Sequence, residues 1–251
     1  MKKASLLARK KKRASDNIMQ ERKHLITDDT DFFVLEAYKS LRTNVMFSLT
    51  GENERNVIIV TSSLQSEGKS TTSTNLAITF AQNDKRVLLV DCDMRRPKLG
   101  RLMGLSCKLG LSDILLEPDR CAEAIISTEQ KNLKVLLAGA IPPNPSELLS
   151  SRRMKSFLEA MKQQFDLIVL DTPPVNVVTD AMVLCPEADG VVFVVRAGQS
   201  ERGAVMRAVD LLKRADAKLL GFVLNGVDGQ AGSYGKYRSG YGYTNYSEQR
   251  N

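Results

Sequence analysis

At 251 residues and 43% hydrophobic composition, the chain can bury one substantial core, and its longest apolar stretches are too short to span a membrane. Its formal net charge of +7 is concentrated in residues 1–23, which hold nine of the 36 basic side chains and two of the 29 acidic ones. The remainder is electrically balanced, which argues against a broad nucleic-acid-binding surface. No apolar segment follows the basic run at residues 1–13, so this run does not resemble a secretion signal and none is expected.

The first 30 residues are predicted to be a flexible basic arm. A short polybasic segment suits the anionic inner face of a membrane or an acidic partner, whereas a merely solvated arm explains the same charges. Four cysteines without paired spacing are expected to be reduced thiols. These features together predict a cytoplasmic protein.

A helix is predicted at residues 32–47, within the segment 31–50. Its apolar side chains recur at helical spacing, and they are Leu35, Tyr38, Leu41 and Val45. Glu36, Lys39 and Arg42 form a second stripe, because residues three apart are neighbours on a helix. This charge ladder can pair internally or with a neighbouring subunit, and a solvated helix face is the alternative.

Apolar strands alternate with helical stretches along the rest of the chain. The predicted strands are residues 57–60, 86–90, 133–137, 167–170, 191–195 and 220–224. This alternation indicates a mostly parallel sheet covered by helices on both faces. Ligands of such sheets bind at the carboxyl ends of the strands.

Residues 63–70, called the P-loop below, lie between the first strand and a helix-like stretch at 70–82. Backbone N–H groups of such a loop bind phosphates, and a lysine reaches the β and γ oxygens. Lys69 fits that lysine, and Ser70 fits the hydroxyl that contacts Mg²⁺. Ser63 stands where the first glycine is usual, so a polar turn before a helix is the alternative for this segment taken alone.

Two further strands end in aspartates. Asp91 and Asp93 follow the second strand, and Asp171 follows the fourth. Asp91 and Asp93 share one face of an extended chain, where like charges repel, so a metal ion or a substrate proton would relieve them. Asp171 fits the strand-end aspartate that completes a Mg²⁺ shell directly or through water. The three strand ends together predict a site for a nucleoside triphosphate and Mg²⁺.

The segment from Gly226 onward is rich in glycine, serine, asparagine and tyrosine and has too little aliphatic content to form a core. Five of the six tyrosines lie there, namely Tyr234, Tyr237, Tyr241, Tyr243 and Tyr246. Packing cannot explain their placement, so residues 229–251 are predicted to be a flexible tail with accessible hydroxyls. A low-complexity tail without chemistry and a set of stacking surfaces for nucleic acid are the alternatives.

These motifs resemble the Walker A, Walker A′ and Walker B motifs of the bacterial tyrosine kinases that govern capsule and exopolysaccharide synthesis. The motifs correspond to the P-loop, to Asp91-Cys92-Asp93-Met94-Arg95 and to Asp171-Thr172-Pro173. The tyrosine cluster also matches the family. The ladder of Glu36, Lys39 and Arg42 is similar to the family's Glu-x-x-Arg-x-x-Arg oligomerisation element, with one arginine replaced by lysine.

The resemblance implies an α/β fold with a mostly parallel sheet flanked by helices, the P-loop NTPase fold of the deviant-Walker, MinD-like group. It also implies a kinase domain at residues 31–228 that uses ATP and Mg²⁺. The residues then expected to bind the nucleotide are Ser66, Glu67, Gly68, Lys69, Ser70, Thr71 and Asn225. The expected metal ligands are Ser70, Asp93 and Asp171. The expected catalytic residues are Lys69, Asp91, Asp93 and Arg95.

Within that set, Asp91 is expected to accept the tyrosine proton and Arg95 to stabilise phosphate charge. The division of roles between Asp91 and Asp93 stays open, because neighbouring carboxylates titrate as a unit. Asn225 is equally suited to an adenine contact and to a plain turn before Gly226.

The resemblance further implies that the tail tyrosines are phosphorylated between subunits of a homo-oligomeric ring, such as an octamer. Expected partners are a separate transmembrane activator or adaptor that recruits the chain to the inner face of the membrane, other protein-tyrosine substrates and a cognate phosphatase. No nucleic-acid partner is expected.

A nucleotide-switch ATPase of the partitioning or positioning type is the principal alternative, because it shares this sheet and transfers phosphate to water. Such ATPases usually carry a further lysine early in the P-loop, and residues 63–66 contain none. A non-enzymatic scaffold with a relic nucleotide site is a third interpretation, opposed by the intact Lys69, Asp93 and Asp171.

Overall fold

The computed structural model describes residues 22–49 and 56–227. Its strands, numbered in chain order, are β1 (Asn56–Ser62), β2 (Val87–Asp91), β3 (Ile125–Ser127), β4 (Leu133–Leu136), β5 (Leu167–Asp171), β6 (Gly190–Arg196) and β7 (Leu219–Asn225). They form one seven-stranded sheet in the order β3-β4-β2-β5-β1-β6-β7. Every neighbouring pair is parallel except β3 with β4. The predicted α/β fold with a mostly parallel sheet is confirmed.

The central strands are apolar on both faces because helices cover the sheet on both sides. The strands β2 and β5 are buried along their whole length. Successive side chains of β1 enter opposite clusters, Val57 and Ile59 on one face and Ile58 and Val60 on the other. This two-sided burial explains the uninterrupted apolar runs in the sequence.

The α-helices of the described residues form the two outer layers. They are α1 (Phe32–Ser48), α2 (Lys69–Ala81), α3 (Leu99–Met103), α4 (Leu111–Leu116), α5 (Cys121–Ala124), α6 (Pro145–Leu149), α7 (Arg152–Lys162), α8 (Asp180–Leu184) and α9 (Arg202–Arg214). The helices α1 and α2 cover one face, where Val45 and Leu76 are buried, and α7 and α9 cover the other, where Phe157 and Leu212 are buried.

The sequence pattern does not predict β3, a three-residue strand at the sheet edge that pairs antiparallel with β4. Its residues are only partly buried or exposed. A short edge strand of this kind carries no strong apolar run, so its signal is weak at the level of sequence.

The predicted charge ladder on α1 is divided between two kinds of contact. Lys39 Nζ lies 2.7 Å from Glu36 Oε1, so these two residues pair within the helix. Arg42 Nη1 instead donates to the Thr79 carbonyl of α2 at 2.9 Å. Within one chain, therefore, Arg42 of the ladder binds α1 to α2, whereas Glu36 and Lys39 pair with each other.

Residues 22–30, which lie in the predicted basic arm, pack against α2. Ile26 is buried, its N–H donates to Asn75 Oδ1 at 2.9 Å, and Asn75 Nδ2 donates to the His24 carbonyl at 2.8 Å. The buried Asn75 thus bonds both to the segment's N–H and to its C=O groups. Within the predicted arm, residues 22–30 thus contribute one apolar anchor and two backbone groups bonded to a buried amide, and the flexibility of the arm stays a prediction.

No helix within residues 22–49 and 56–227 has the length and apolar character needed to cross a bilayer. All five predicted acceptor tyrosines of the tail lie outside the described residues.

Candidate active site

The three predicted motifs meet at one edge of the sheet. The strands β1, β2 and β5 are neighbours, and parallel register places Asp91 directly beside Asp171. A cavity of about 1010 Å³ opens over this edge, lined by Lys69, Ser70 and Asp93. Other predicted site residues that line the cavity are Ser66, Gly68, Thr71, Arg95 and Asn225. The side chains of three motifs that are distant in sequence therefore share one site.

Gly68 is the N-cap of α2, and two features of its position require glycine. Its φ of 96° lies in the left-handed region that side chains disfavour. A Cβ there would also lie 1.8 Å from Asn225 Nδ2. The unusual Ser63 has its own role in this loop, because its hydroxyl donates to Glu67 Oε1 at 2.7 Å. A side-chain contact thus holds the loop where the usual first glycine is missing.

The ammonium group of Lys69 lies among carboxylates at the base of the cavity. Its Nζ is 3.1 Å from Asp93 Oδ2 and 3.3 Å from Ser70 Oγ. Burial lowers the pKa of Lys69, but the charges of Asp171, Asp93 and Asp91 outweigh burial and raise that pKa. Lys69 is therefore held charged where a triphosphate would bring negative oxygens.

Asp171 is the least satisfied charged group among the described residues. Both of its carboxylate oxygens are buried and have no hydrogen bond of ordinary length and angle there, although the Ser70 and Ser73 hydroxyls lie near enough to favour its ionised form. Burial raises the pKa of Asp171, and the charge of Lys69 and then the Ser70 hydroxyl oppose that rise. Orphaned buried oxygens are costly, and hard divalent cations take such oxygens as ligands. The site therefore fits Mg²⁺.

The described residues contain no group of three histidine, cysteine, aspartate or glutamate side chains arranged to hold a metal ion. Mg²⁺ commonly uses one or two carboxylates and takes its other ligands from water and substrate phosphates. The predicted ligands Ser70, Asp93 and Asp171 fit an ion of that kind, which arrives with a nucleotide.

Asp91 lies behind the cavity surface. Its Oδ1 accepts the Asp93 N–H at 3.2 Å, and its Oδ2 accepts the N–H groups of Lys98 at 3.2 Å and Leu99 at 3.1 Å. Burial, followed by the charge of Asp171, raises the pKa of Asp91 to about 8. Asp91 thus shapes the chain after β2, whereas Asp93 borders the cavity.

Arg95 is fixed by a carboxylate that sequence reasoning missed. Its Nε and Nη2 lie 3.0 and 3.1 Å from the two oxygens of Asp180, and Nη2 is 3.0 Å from Ser146 Oγ. Asp180 is fully buried, whereas the Arg95 side chain keeps 40% of its surface exposed. This bidentate pair holds Arg95 at the cavity wall. Nothing in the local pattern identifies Asp180, because its partner lies 85 residues away.

Asn225 and Glu67 contact each other at the P-loop. Asn225 Nδ2 donates to the Glu67 carbonyl at 3.1 Å, and Asn225 Oδ1 accepts the Gly226 N–H at 2.8 Å. Asn225 therefore makes the turn contact before Gly226 and also touches the P-loop, and the adenine contact considered for it stays a prediction. The Glu67 carboxylate is buried within the protein and does not line the cavity.

The chain resembles known proteins over most of its length. Residues 55–219 match the AAA_31 family, described as an AAA domain. A tyrosine-protein kinase of Bacillus subtilis (strain 168), YwqD, is 40% identical over 191 residues, which are 76% of this chain and 80% of that relative.

Solved structures give the same result. The kinase domain of the Escherichia coli tyrosine kinase ETK superposes with a TM-score of 0.75 at 34% identity, covering 80% of this chain and 78% of that one. The septum site-determining protein MinD from Pyrococcus horikoshii OT3, complexed with Mg-ADP, has a TM-score of 0.57 at 25% identity, covering 68% and 69%. The chain therefore belongs to the bacterial tyrosine kinases, on the P-loop NTPase fold that these enzymes share with MinD.

Proposed function

We propose that this kinase transfers phosphate from ATP to the tyrosines of its own C-terminal tail and thereby regulates capsule or exopolysaccharide synthesis. The observation that carries the proposal is the combination of one buried lysine and three strand-end carboxylates with a tail that holds five of the six tyrosines. An enzyme that used water as the acceptor would have no need of this tail.

The chain's own groups bind and orient the nucleotide. The N–H groups of the P-loop and the N-terminus of α2 bind the phosphates, and Lys69 supplies the positive charge. Ser70, Asp93 and Asp171 would hold Mg²⁺, which when bound neutralises phosphate charge. Asp93, whose Oδ2 lies 3.1 Å from Lys69 Nζ, would contact both this lysine and the metal. The MinD complex with Mg-ADP supports this arrangement, because it shares the fold.

The proposed acceptor of the tyrosine proton is the pair formed by Asp91, which lies behind the cavity surface, and Asp93, which borders the cavity and is the carboxylate nearer to a bound substrate. A phenol with a pKa near ~10 is mostly neutral at cellular pH, so a base must take its proton during transfer. Burial and Asp171 raise the pKa of Asp91 to about 8, so its ionised form is a stronger base than an ordinary aspartate. Asp93 borders the cavity and would also be one of the residues that hold the metal. Arg95, anchored by Asp180, stabilises phosphate charge at the cavity wall.

The acceptor tyrosine comes from a neighbouring subunit. A tail that starts just outside its own fold reaches its own site poorly, so a ring joined through α1, with Glu36, Lys39 and Arg42, is the economical arrangement. Each phosphate adds about two negative charges, so a phosphorylated tail repels its neighbours and loosens the ring. Lysine cannot form the bidentate pairs of arginine, so Lys39 makes that ring weaker than an all-arginine element would.

We also propose that a transmembrane activator recruits the chain from the cytoplasm to the inner face of the membrane. A cognate phosphatase and other protein-tyrosine substrates complete the cycle. The basic residues 1–23 suit the anionic membrane surface, which supports this placement.

The deciding experiment incubates the full chain with labelled ATP and Mg²⁺, with and without the activator, and measures label on tyrosine and free phosphate. Replacing Lys69 by Met should abolish transfer. Changing all five tail tyrosines to phenylalanine should remove the acceptor and leave ATP binding unchanged. Free phosphate without labelled tyrosine under both conditions would refute the kinase proposal and favour the nucleotide-switch ATPase.

A further inference from the structure

The Glu67 carboxylate is turned away from the nucleotide cavity. It is only 1% exposed, yet both of its oxygens are satisfied. Oε1 accepts the hydroxyls of Ser63, at 2.7 Å, and of Ser200, and Oε2 accepts the Leu64 N–H at 2.7 Å. A buried carboxylate is stable only with such partners. Its side chain therefore joins the P-loop to the segment that follows β6.

That segment, residues 196–200, makes further contacts with the P-loop, and we call it the clamp loop. Gln199 Nε2 donates to the Gln65 carbonyl at 3.4 Å, and Arg196 Nη1 donates to the Ser66 carbonyl at 3.4 Å. Asn225, at the end of β7, donates to the Glu67 carbonyl in the same way at 3.1 Å. Three consecutive carbonyls of the P-loop are thus drawn to donors outside the loop.

The direction of these carbonyls fixes the direction of the amides that bind phosphate. The C=O of one residue and the N–H of the next point to opposite sides of a planar trans peptide, and the described residues contain no cis peptide. The N–H groups of Ser66, Glu67 and Gly68 therefore point away from the clamp loop. Backbone acceptors among the described residues take none of these three N–H groups, so they are available to an anion.

The loop also adopts a backbone that is unfavourable by itself. Ser66 has a φ of 67° and Gly68 a φ of 96°, both in the left-handed region. A non-glycine residue persists in that region when its surroundings hold it there. The clamp loop supplies such contacts on either side of Ser66.

We propose that Gln199 and Ser200 are positioning residues, which hold the P-loop in its phosphate-binding conformation before the nucleotide binds. They act through Gln65 and Glu67 and touch no part of the ligand. This inference rests on the proposed function only in taking Mg·ATP as the ligand. Losing the contacts of the clamp loop would lower the fraction of molecules whose P-loop has the phosphate-binding conformation. The apparent affinity for Mg·ATP falls in proportion to that fraction.

The test compares Ser200→Ala and Gln199→Ala with the wild-type full chain. Isothermal titration calorimetry with Mg·ATP should show a Kd about tenfold higher for Ser200→Ala, as expected when the hydrogen bond to the charged Glu67 is lost. The bond that Ser200 Oγ accepts from the Arg196 N–H at 2.8 Å, within the clamp loop, is lost with it. The rise should be about threefold for Gln199→Ala, whose bond is longer and neutral. Ser200→Thr keeps the hydroxyl and should restore the wild-type Kd. Ser106→Ala, at an exposed serine outside the site, is the matched control and should leave it unchanged.

Steady-state kinetics separates positioning from stability. The KM for ATP should rise with the Kd while kcat at saturating ATP stays the same, because bound nucleotide itself holds the loop. Unchanged Kd values for both alanine variants, even with a lower melting temperature, would overturn the proposal. Gln199 is exposed, so its variant decides the matter if Ser200→Ala does not fold. A wild-type chain that binds Mg·ATP without labelling tyrosine would refute the kinase proposal. The ratios of variant to wild-type Kd would still test whether Gln199 and Ser200 position the P-loop.

Discussion

Replacing Asp171 by asparagine should stabilise the protein in the absence of ligand. The carboxylate is fully buried, and neither oxygen has a hydrogen bond of ordinary length and angle within the described residues. Its pKa is raised, first because of burial, so the folded state disfavours its ionised form even though Lys69 attracts it. An asparagine side chain at this position would have the same shape without that charge. We therefore expect Asp171 to lower the stability of the unliganded fold, a cost that its proposed ligand would offset.

The magnitude follows from the cost of an unsatisfied buried group. Such a group costs about 1–3 kcal/mol of stability, so replacing it gains about that amount. The lost attraction between Asp171 and Lys69 offsets part of this gain. We expect the free energy of unfolding to rise by about 1–2 kcal/mol, which corresponds to roughly 2–8 °C in melting temperature for a chain of this size.

Urea unfolding with and without Mg·ADP measures both parts of this prediction. The wild-type chain should gain stability from Mg·ADP by mass action, and Asp171→Asn should lose most of that gain. Asp166→Asn is the matched control, for which the expected change in the free energy of unfolding has the opposite sign. Asp166 accepts a 2.6 Å ion pair from Arg86, which lowers the pKa of Asp166, so its replacement should destabilise the protein.

The pH dependence gives an independent check. Because the pKa of Asp171 is raised in the folded state, the loss of stability that it causes is absent below the unfolded pKa, near ~4. This loss grows as pH rises from there to the folded pKa and is complete above it. The stabilisation by asparagine should thus vanish in acid. The pKa of Asp166 is lowered in the folded state, so its ion pair with Arg86 stabilises the fold above the unfolded pKa, near ~4. This stabilisation is lost as pH falls through the folded pKa of Asp166. A ligand-free Asp171→Asn variant less stable than wild type at neutral pH would refute the reasoning.

Two further substitutions test the walls of the cavity. Gly68→Ala should raise the Kd for Mg·ATP by about tenfold or more, because its Cβ meets Asn225 Nδ2 at 1.8 Å. Gly104→Ala, with a similar φ of 72° but no neighbour of its Cβ closer than 3.4 Å, lies outside the cavity lining, so it is the calorimetric control and should leave that Kd near wild type. Asp180→Asn should lower kcat/KM about tenfold by weakening the anchor of Arg95. Unchanged kinetics with a lower melting temperature would assign Asp180 a structural role alone.

The sequence predicts the sheet and the site where signals are local. Unbroken apolar runs identify six strands, and the P-loop, Asp91 and Asp171 each lie directly after one of them. Parallel topology then brings those strand ends together without any further information. The position of β3 and the packing of Ile26 could not be predicted, because a short edge strand and a single apolar anchor in a charged segment carry weak patterns.

The buried charges divide into two classes, and this division explains which of them sequence reasoning finds. Glu67 and Asp180 are satisfied by partners far along the chain, Ser200 and Arg95, so no local motif indicates their contacts. Asp171 is unsatisfied within the described residues and belongs to a recognisable motif. A buried carboxylate with its partners inside the protein stabilises a conformation, whereas one without them is poised for a ligand. On this basis we propose that Asp171 serves the ligand, whereas Glu67 and Asp180, whose distant partners emerge only from the fold, position the P-loop and Arg95.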